Sequence, residues 1–128
     1  MIDLIDRVAD RIKANGFAGV ETKRLDSTTG REATVVRQLP HIPETTYTDR
    51  STSIYFLYQV IVRRRSEKAA MEECWAIADL LKDERIDSDN NSYRFTGTEI
   101  YTYPQELMLE EAGFYAWETR IYALIERS

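Results

Sequence analysis

The side chains that could do acid–base chemistry in this sequence are isolated residues or adjacent pairs. Two carboxylate pairs, Glu72–Glu73 and Glu110–Glu111, have the composition of a general acid and base. The single histidine, His41, follows a proline, and the single cysteine, Cys74, lies among apolar residues. No Cys-x-x-Cys, glycine-rich phosphate loop or His-Glu-x-x-His pair accompanies them. Because adjacent acids are usually solvated surface, the pattern argues against an enzyme and predicts no metal or cofactor.

Length, hydropathy and net charge argue against several other classes of protein. The 128 residues are enough for one domain, 1–128, and no apolar run approaches the roughly 20 residues that a membrane span needs. Asp3, Asp6 and Asp10 interrupt the first apolar residues, so we expect no signal peptide and synthesis in the cytoplasm. The formal charge of −5, from 17 basic and 22 acidic residues, argues against a protein that grips nucleic-acid backbone.

The strongest structural signal is an apolar strand that leads directly into an amphipathic helix. β-branched and aromatic residues dominate both faces of Thr52–Arg65, which indicates a strand in the interior of a sheet. Ser66 is placed to cap a helix over Glu67–Lys82. The apolar stripe of that helix consists of Ala70, Cys74, Ile77, Ala78 and Leu81.

The remaining segments predict an α+β fold: an antiparallel or mixed β-sheet of about five strands, with two helices packed on one face. Asn15-Gly16 ends the first helix, a polar turn makes a hairpin of the first two strands, Gly97 is a candidate bulge and Pro104 ends its strand. The predicted segments are a helix at Ile2–Ala14 and strands at Val20–Leu25, Glu32–Leu39, Tyr93–Tyr103 and Phe114–Glu126.

Two long irregular segments, His41–Arg50 and Gln105–Gly113, and one tryptophan on a helix flank are candidates for contact with a partner. The tryptophan and the eight tyrosines fit either the edge of a core or a protein–protein surface. The run Arg63–Arg65 suggests nucleic acid, but its place at a strand end favours solvation or ion pairing with nearby glutamates. The candidate interface residues are His41, Tyr47, Trp75, Leu107, Met108 and Leu109.

Several short segments within these elements resemble the sequences of a family of phage proteins. They are Val35-Val36-Arg37-Gln38-Leu39-Pro40, the Ile54–Val62 strand, the Ala70–Leu81 helix, Tyr93-Arg94-Phe95 and Glu99-Ile100-Tyr101-Thr102. The family comprises the minor capsid, or tail completion, proteins of tailed phages and prophages of Gram-positive bacteria. The layout is similar to that of tail terminator proteins.

This resemblance implies a structural role in the tail or neck of the virion. Tail terminators assemble as a ring, typically of six subunits, on the end of the tail tube, where they stop tube growth and offer a docking surface to the head–tail connector or stopper protein. The resemblance brings no catalytic residues and no cofactor. It implies DNA passing through the ring without specific binding.

Two other function classes stay open at the level of sequence. One is a small-molecule-binding or enzymatic α+β domain with a pocket between sheet and helices. The other is a host-factor inhibitor or adaptor encoded by a prophage. A deep pocket with convergent polar groups favours the first of these, whereas an apolar surface and self-association favour the virion protein.

Overall fold

A computed structural model describes residues 2–17, 19–22, 32–40, 44–46, 52–107 and 113–127. Within these residues the chain forms two helices and one mixed sheet, which confirms the predicted α+β class. In the part of the chain that is described, neither helix is both long and apolar enough to cross a membrane. The elements are α1 (Leu4–Ala14), β1 (Val20–Glu21), β2 (Ala33–Gln38), β3 (Glu44–Thr46), β4 (Thr52–Arg64), α2 (Glu67–Asp83), β5 (Arg94–Leu107) and β6 (Tyr115–Arg127).

Helix α1 ends where the sequence predicts. Asn15 is its C-terminal cap, and Gly16 adopts a φ of +91°, a left-handed conformation that glycine accepts without steric cost. The Gly16 N–H donates to the carbonyl oxygen of Lys13 at 3.1 Å, which satisfies one of the last free carbonyls of the helix.

Helix α2 confirms both its predicted cap and its predicted stripe. The Ser66 hydroxyl accepts a hydrogen bond from the Ala69 N–H at 3.3 Å, so one free donor of the first turn is satisfied. All five residues of the predicted apolar stripe are buried, and the polar residues of the helix lie opposite them.

The sheet has the strand order β1-β2-β4-β6-β5, and β3 pairs with β4 beside β2. Strand β4 is therefore interior, as predicted. Its alternating residues Ile54, Phe56, Tyr58, Val60 and Val62 are buried in one cluster with the apolar residues of both helices. Both helices consequently lie on one face of the sheet, which is called the helix face below, and the opposite side is called the outer face.

The predicted hairpin between the first two strands is wrong. Strand β1 runs parallel to β2, with Val20 opposite Thr34 and Glu21 opposite Val35, whereas a tight hairpin joins antiparallel strands. The predicted loop His41–Arg50 also contains strand β3, which pairs antiparallel with the Thr52–Ile54 end of β4. The other residues of that loop lie outside the described part of the chain.

Proline 104 does not end its strand, contrary to the prediction. Strand β5 continues to Leu107, which pairs with Ala116 of β6. The pairing register shifts between Thr102 and Gln105, so the proline, which has no N–H to donate, sits in an irregular stretch that does not need one. A further shift between Phe95 and Gly97 confirms the bulge predicted at Gly97.

Asp3 ties the start of α1 to the connection between α2 and β5. Its carboxylate accepts hydrogen bonds from the Ser88 hydroxyl at 2.8 Å and the Asp89 N–H at 2.9 Å, and from the Asn90 N–H and Ser92 hydroxyl at 3.2 Å. Burial acts to raise the pKa of this carboxyl, but the hydrogen bonds outweigh it and hold the pKa below its ordinary value. The ionised form is thus the one that the fold stabilises.

We expect Asp3→Asn to lower the free energy of unfolding by roughly 0.5–1.5 kcal/mol at pH 7, after allowance for solvent at this partly exposed site. Because the folded-state pKa is lowered, the stabilisation is complete above the ordinary Asp pKa of about 3.9 and is lost as pH falls through the folded-state value. Urea denaturation of both proteins from pH 7 downward measures this.

The matched control is Asp10→Asn, which removes only an exposed ion pair with Arg7 at 3.6 Å and should change stability little at any pH. A stability difference between the Asp3 variant and the parent that persists undiminished in acid contradicts the assignment.

Candidate functional site

An exposed aromatic surface forms where α2 passes strand β5. The rings of Trp75 and Tyr103 stack with their centroids 6.1 Å apart and 30° between their planes. They are 41% and 58% exposed, and Met71, one helical turn before Trp75, is also exposed. We call Met71, Trp75 and Tyr103 the Trp75 surface.

Local sequence explains why this surface faces solvent. Trp75 directly follows Cys74 of the buried stripe, so it lies on the flank of α2 rather than on its core side. Met71 stands four residues earlier and therefore on the same flank. Tyr103 lies in the irregular stretch of β5 between Thr102 and Gln105, next to the helix.

A second exposed aromatic group lies on the outer face. Tyr122 of β6 contacts Tyr101 with a centroid distance of 5.2 Å and Tyr55 with one of 5.9 Å. Tyr55 and Tyr101 are both exposed. We call Tyr55, Tyr101 and Tyr122 the tyrosine surface.

A bulge in β5 divides its tyrosines between the two surfaces. Side chains two residues apart on a regular strand point to the same face, yet Tyr101 contacts the outer-face Tyr122 and Tyr103 contacts the helix residue Trp75. The pairing register shifts on each side of Thr102, and this irregularity separates the two rings. Strand β5 thus carries exposed aromatic side chains on both of its faces.

A buried polar network crosses three strands on the outer face. The Arg37 Nε–H donates to Gln59 Oε1 at 2.8 Å, and Gln59 Nε2–H donates to Glu118 Oε1 at 2.9 Å. Arg120 Nε–H donates to the same Glu118 oxygen at 2.7 Å. Gln59 and Glu118 are each 2% exposed, so these bonds satisfy polar groups that are costly to bury alone.

The arginine run at the end of β4, Arg63–Arg65, makes no continuous basic patch. Arg64 forms an ion pair with Glu73 at 2.6 Å, although the pair lacks the alignment of a hydrogen bond. The guanidinium groups of Arg63 and Arg65 lie over the ring of Phe114, 5.6 Å and 4.8 Å from its centroid. The expected pairing with a nearby glutamate therefore holds for Arg64, and the other two arginines pack on an aromatic ring.

The structure locates two of the six candidate interface residues. Trp75 is exposed, as an interface anchor requires. Leu107 is half-buried and belongs to the end of β5, so its predicted place in an irregular loop is wrong. His41, Tyr47, Met108 and Leu109 lie outside the described residues, and their role at an interface remains a prediction.

Of the groups that could do chemistry, Glu72, Glu73 and Cys74 belong to the described residues, and His41, Glu110 and Glu111 lie outside them. No cluster of three histidine, cysteine or acidic side chains with metal-binding geometry occurs among the residues described. Burial raises the pKa of the Cys74 thiol to about 12, which leaves it without nucleophilic character at neutral pH. In the carboxylate pair Glu72–Glu73, Glu73 forms an ion pair with Arg64 and Glu72 approaches Lys68 at 3.8 Å.

Sequence reasoning did not identify Met71 or Tyr103 as part of the site, nor the grouping of Tyr55, Tyr101 and Tyr122. Met71 was predictable in principle, because it lies one helical turn before Trp75 and, like Trp75, away from the apolar stripe. The others depend on the bulges of β5, whose position an alternating sequence does not fix.

Comparison with known proteins identifies the family. The model of the family described as bacteriophage tail terminator protein matches residues 12–127. Among curated proteins no significant match occurs. A chain of the solved structure "Virion of native gene transfer agent (GTA) particle" has the same fold, with a TM-score of 0.66 and 17% identity over 96% of this chain and 94% of that one. The family match covers nearly the whole chain, and the chain therefore belongs to the bacteriophage tail terminator family, whose members are structural proteins of the phage particle.

Proposed function

We propose that copies of this chain assemble into a ring of six at the end of the tail tube, stop its growth and join it to the head. Its partners are further copies of itself, the tail tube protein and the head–tail connector or stopper protein. The chain works by binding alone and has no catalytic role. The ring contacts are expected to include His41, Tyr47, Met108 and Leu109 beside the exposed aromatic residues.

The observation that carries this proposal is the pair of exposed aromatic surfaces on the two sides of β5. Single apolar residues are common on protein surfaces, but contiguous exposed groups mark sites of association. Tryptophan, tyrosine and methionine are enriched in the centres of such sites, and truncation of a tryptophan or tyrosine there often costs the most affinity. The Trp75 surface consists of one residue of each type.

Charge supports passage of DNA through the ring. The chain carries a formal charge of −5, and the buried network and the ion pairs occupy several of its arginines. A ring of such subunits repels phosphate rather than binding it. DNA then moves through the channel without specific contacts.

We expect the double change Trp75→Ser and Tyr103→Ser to prevent tail completion while the subunit still folds. Both side chains lie outside the buried cluster, so the core is kept. Loss of an interface anchor weakens a contact by about 2 kcal/mol or more, which is roughly thirtyfold in affinity. Electron microscopy of lysates from phage carrying the variant should reveal unjoined heads and tails of uneven length.

The matched control is Tyr115→Ser. Tyr115 is 43% exposed, close to the 41% of Trp75, but it belongs to neither aromatic surface. Thermal denaturation checks that both variants fold like the parent. Normal joined virions from a folded double variant argue against the Trp75 surface as a contact, and an unchanged chain that never forms rings with itself or on tail tubes refutes the proposed function.

A further inference from the structure

The Trp75 surface combines exposed aromatic rings with nearby negative charge. The stacking of Trp75 on Tyr103 occupies one face of each ring, and the exposed fractions of 41% and 58% leave much of both rings in contact with solvent. The faces of aromatic rings carry partial negative charge, so they attract cations as well as apolar groups. The charges around the rings therefore help to decide which side chain binds there.

The charged residues nearest to Trp75 on its flank of α2 are acidic. Glu72 precedes it by three residues and Asp79 follows it by four, so both lie about one helical turn from the indole. Lys68 and Lys82 are each two turns away, about 10 Å along the helix axis. Lys68 approaches Glu72 at 3.8 Å, but the Glu72 side chain stays 60% exposed. The nearest charge available to a partner is thus negative.

Strand β5 adds no positive charge beside these rings. Its residues 99–107 include two glutamates but no lysine or arginine. Among the described residues, the cation–π contacts are those of Arg63 and Arg65 with Phe114, so no described cation occupies the rings of the Trp75 surface. The surface is therefore available to a cation from another molecule.

Arginine is the cation that suits an aromatic surface of this kind. Its guanidinium is planar, stacks on aromatic faces and donates hydrogen bonds to carboxylates, whereas a lysine ammonium is a strongly hydrated point charge. Arginine is also enriched at protein–protein interfaces, where lysine is depleted. Its aliphatic stem can cover Met71, which is 36% exposed beside Trp75.

We propose that the Trp75 surface binds an arginine side chain of a partner protein in the virion, with the guanidinium between the aromatic rings and the carboxylates of Glu72 and Asp79. This inference rests on the proposed function and deepens it by naming the chemistry of one contact. It also separates the two aromatic surfaces, because the tyrosine surface then remains for contacts between copies.

Charge indicates that this partner is a different protein with a basic surface. A second copy of the chain also carries a formal charge of −5, which opposes its approach to an acidic surface. Most described arginines of the chain, moreover, already pair with an acidic residue or an aromatic ring of the same subunit. A basic segment of another tail or neck protein meets neither obstacle.

The first test uses the two tryptophans of the full chain as probes. Their indole N–H groups give two signals in a nitrogen–proton NMR correlation spectrum, and Trp75→Phe identifies the signal of Trp75. N-acetyl-arginine amide is titrated at constant ionic strength beside N-acetyl-citrulline amide, which has a neutral side chain of the same shape. The arginine compound should bind roughly two- to fivefold more tightly, the value of an exposed cation–π contact. The signal of Trp117, whose Nε1 is buried, is the internal control and should not move.

Two results of this titration overturn the proposal. One is an equal response of the Trp75 signal to both compounds, which shows binding without recognition of charge, and the other is a signal that neither compound moves. Because the titration uses the free subunit, its failure leaves the proposed ring intact. An unchanged chain that forms no ring by itself or on tail tubes refutes the proposed function instead.

Substitutions at Trp75 distinguish an arginine contact from an apolar one in the assembled phage. Trp75→Phe keeps an aromatic face and should still permit joined virions. Trp75→Leu keeps apolar area without an aromatic face and should leave heads and tails unjoined, whereas an apolar contact tolerates both changes. Joined virions from a folded Trp75→Leu variant overturn the proposal.

The carboxylates provide the second test. Glu72→Gln with Asp79→Asn removes both charges and should lower the affinity for N-acetyl-arginine amide to that for the citrulline compound. Asp6→Asn with Asp10→Asn is the matched control, because it changes the net charge equally at exposed positions of α1 and should leave the affinity unchanged. Thermal denaturation checks that both variants fold. Equal losses from the two double variants would show that net charge rather than the Trp75 surface attracts the cation, which contradicts the proposal.

Discussion

Replacing Ile77 by Ala should lower the free energy of unfolding by about 2–5 kcal/mol, the usual loss for a large aliphatic residue truncated in a packed core. Ile77 is fully buried in the cluster that joins both helices to the helix face of the sheet. The truncation removes apolar contacts and leaves a cavity that the surrounding strands cannot fill by small shifts. Urea denaturation at neutral pH measures the loss.

Glu72→Ala, on the opposite side of the same helix, is the control. Its side chain is 60% exposed and only approaches Lys68 at 3.8 Å, so the change should stay within about 0.5 kcal/mol. Equal losses for both variants would mean that α2 does not bury the face assigned to it.

The second large effect is expected at the polar network of the outer face. Glu118→Ala should lower the free energy of unfolding by about 2–4 kcal/mol, because it leaves Gln59 Nε2 without its buried acceptor and removes the carboxylate that neutralises Arg120. The estimate is held below the value for a wholly buried pair since the Arg120 side chain is 38% exposed and reaches water. Denaturation curves of purified variants give the number directly.

Glu126→Ala provides a comparison on the same strand. Glu126 pairs with Arg94, which is 71% exposed, and surface pairs of this kind contribute little. We expect a loss below about 1 kcal/mol. A Glu118 variant as stable as the Glu126 variant would show that the network contributes no more than a surface pair.

Periodicity in the sequence was sufficient for the parts of the fold with one regular repeat. The stripe of α2 has a helical period over several turns, and each of its residues is buried as predicted. In β4 the residues from Ile54 to Val62 alternate, and the alternate set Ile54, Phe56, Tyr58, Val60 and Val62 faces the core. Such patterns predict an element and its buried face because a single period fits them.

Elements that depend on distant pairing could not be read from the sequence. The polar sequence Asp26–Arg31 between the first two predicted strands fits a hairpin, but the parallel pairing of β1 with β2 is decided by contacts elsewhere in the fold. Strand β3 is Glu-Thr-Thr, which has no apolar alternation. A proline usually ends a strand because it has no N–H for the ladder. Pro104 lies within β5 because the pairing register is irregular at that point.

The candidate site was predictable only in part, for the same reason. The position of Trp75 on the helix flank follows from the helical period. Its stacking on Tyr103 and the separation of Tyr101 onto the opposite face depend on register shifts that alternation does not encode. Gln59 and Glu118 are buried polar residues within largely apolar strands, which indicates that each has a hydrogen-bond partner. The identity of that partner depends on strand pairing, which the sequence does not give.

The strand order has a consequence for how a subunit is built. Strands β5 and β6 follow each other in the chain and pair antiparallel, so they can form a hairpin from local contacts early in folding. Among the described residues, the hairpin joins the rest of the sheet through the pairing of β6 with β4, a step that requires closure of the loop containing α2. A hairpin that formed before this step would lack the pairing of β6 with β4, and its Ile121 and Ile125 would lack the core that buries them in the folded subunit. Two partly folded copies could then pair with each other through the edge of β6 that belongs to β4. Correct assembly therefore requires the hairpin to dock onto β4 before partly folded copies collide.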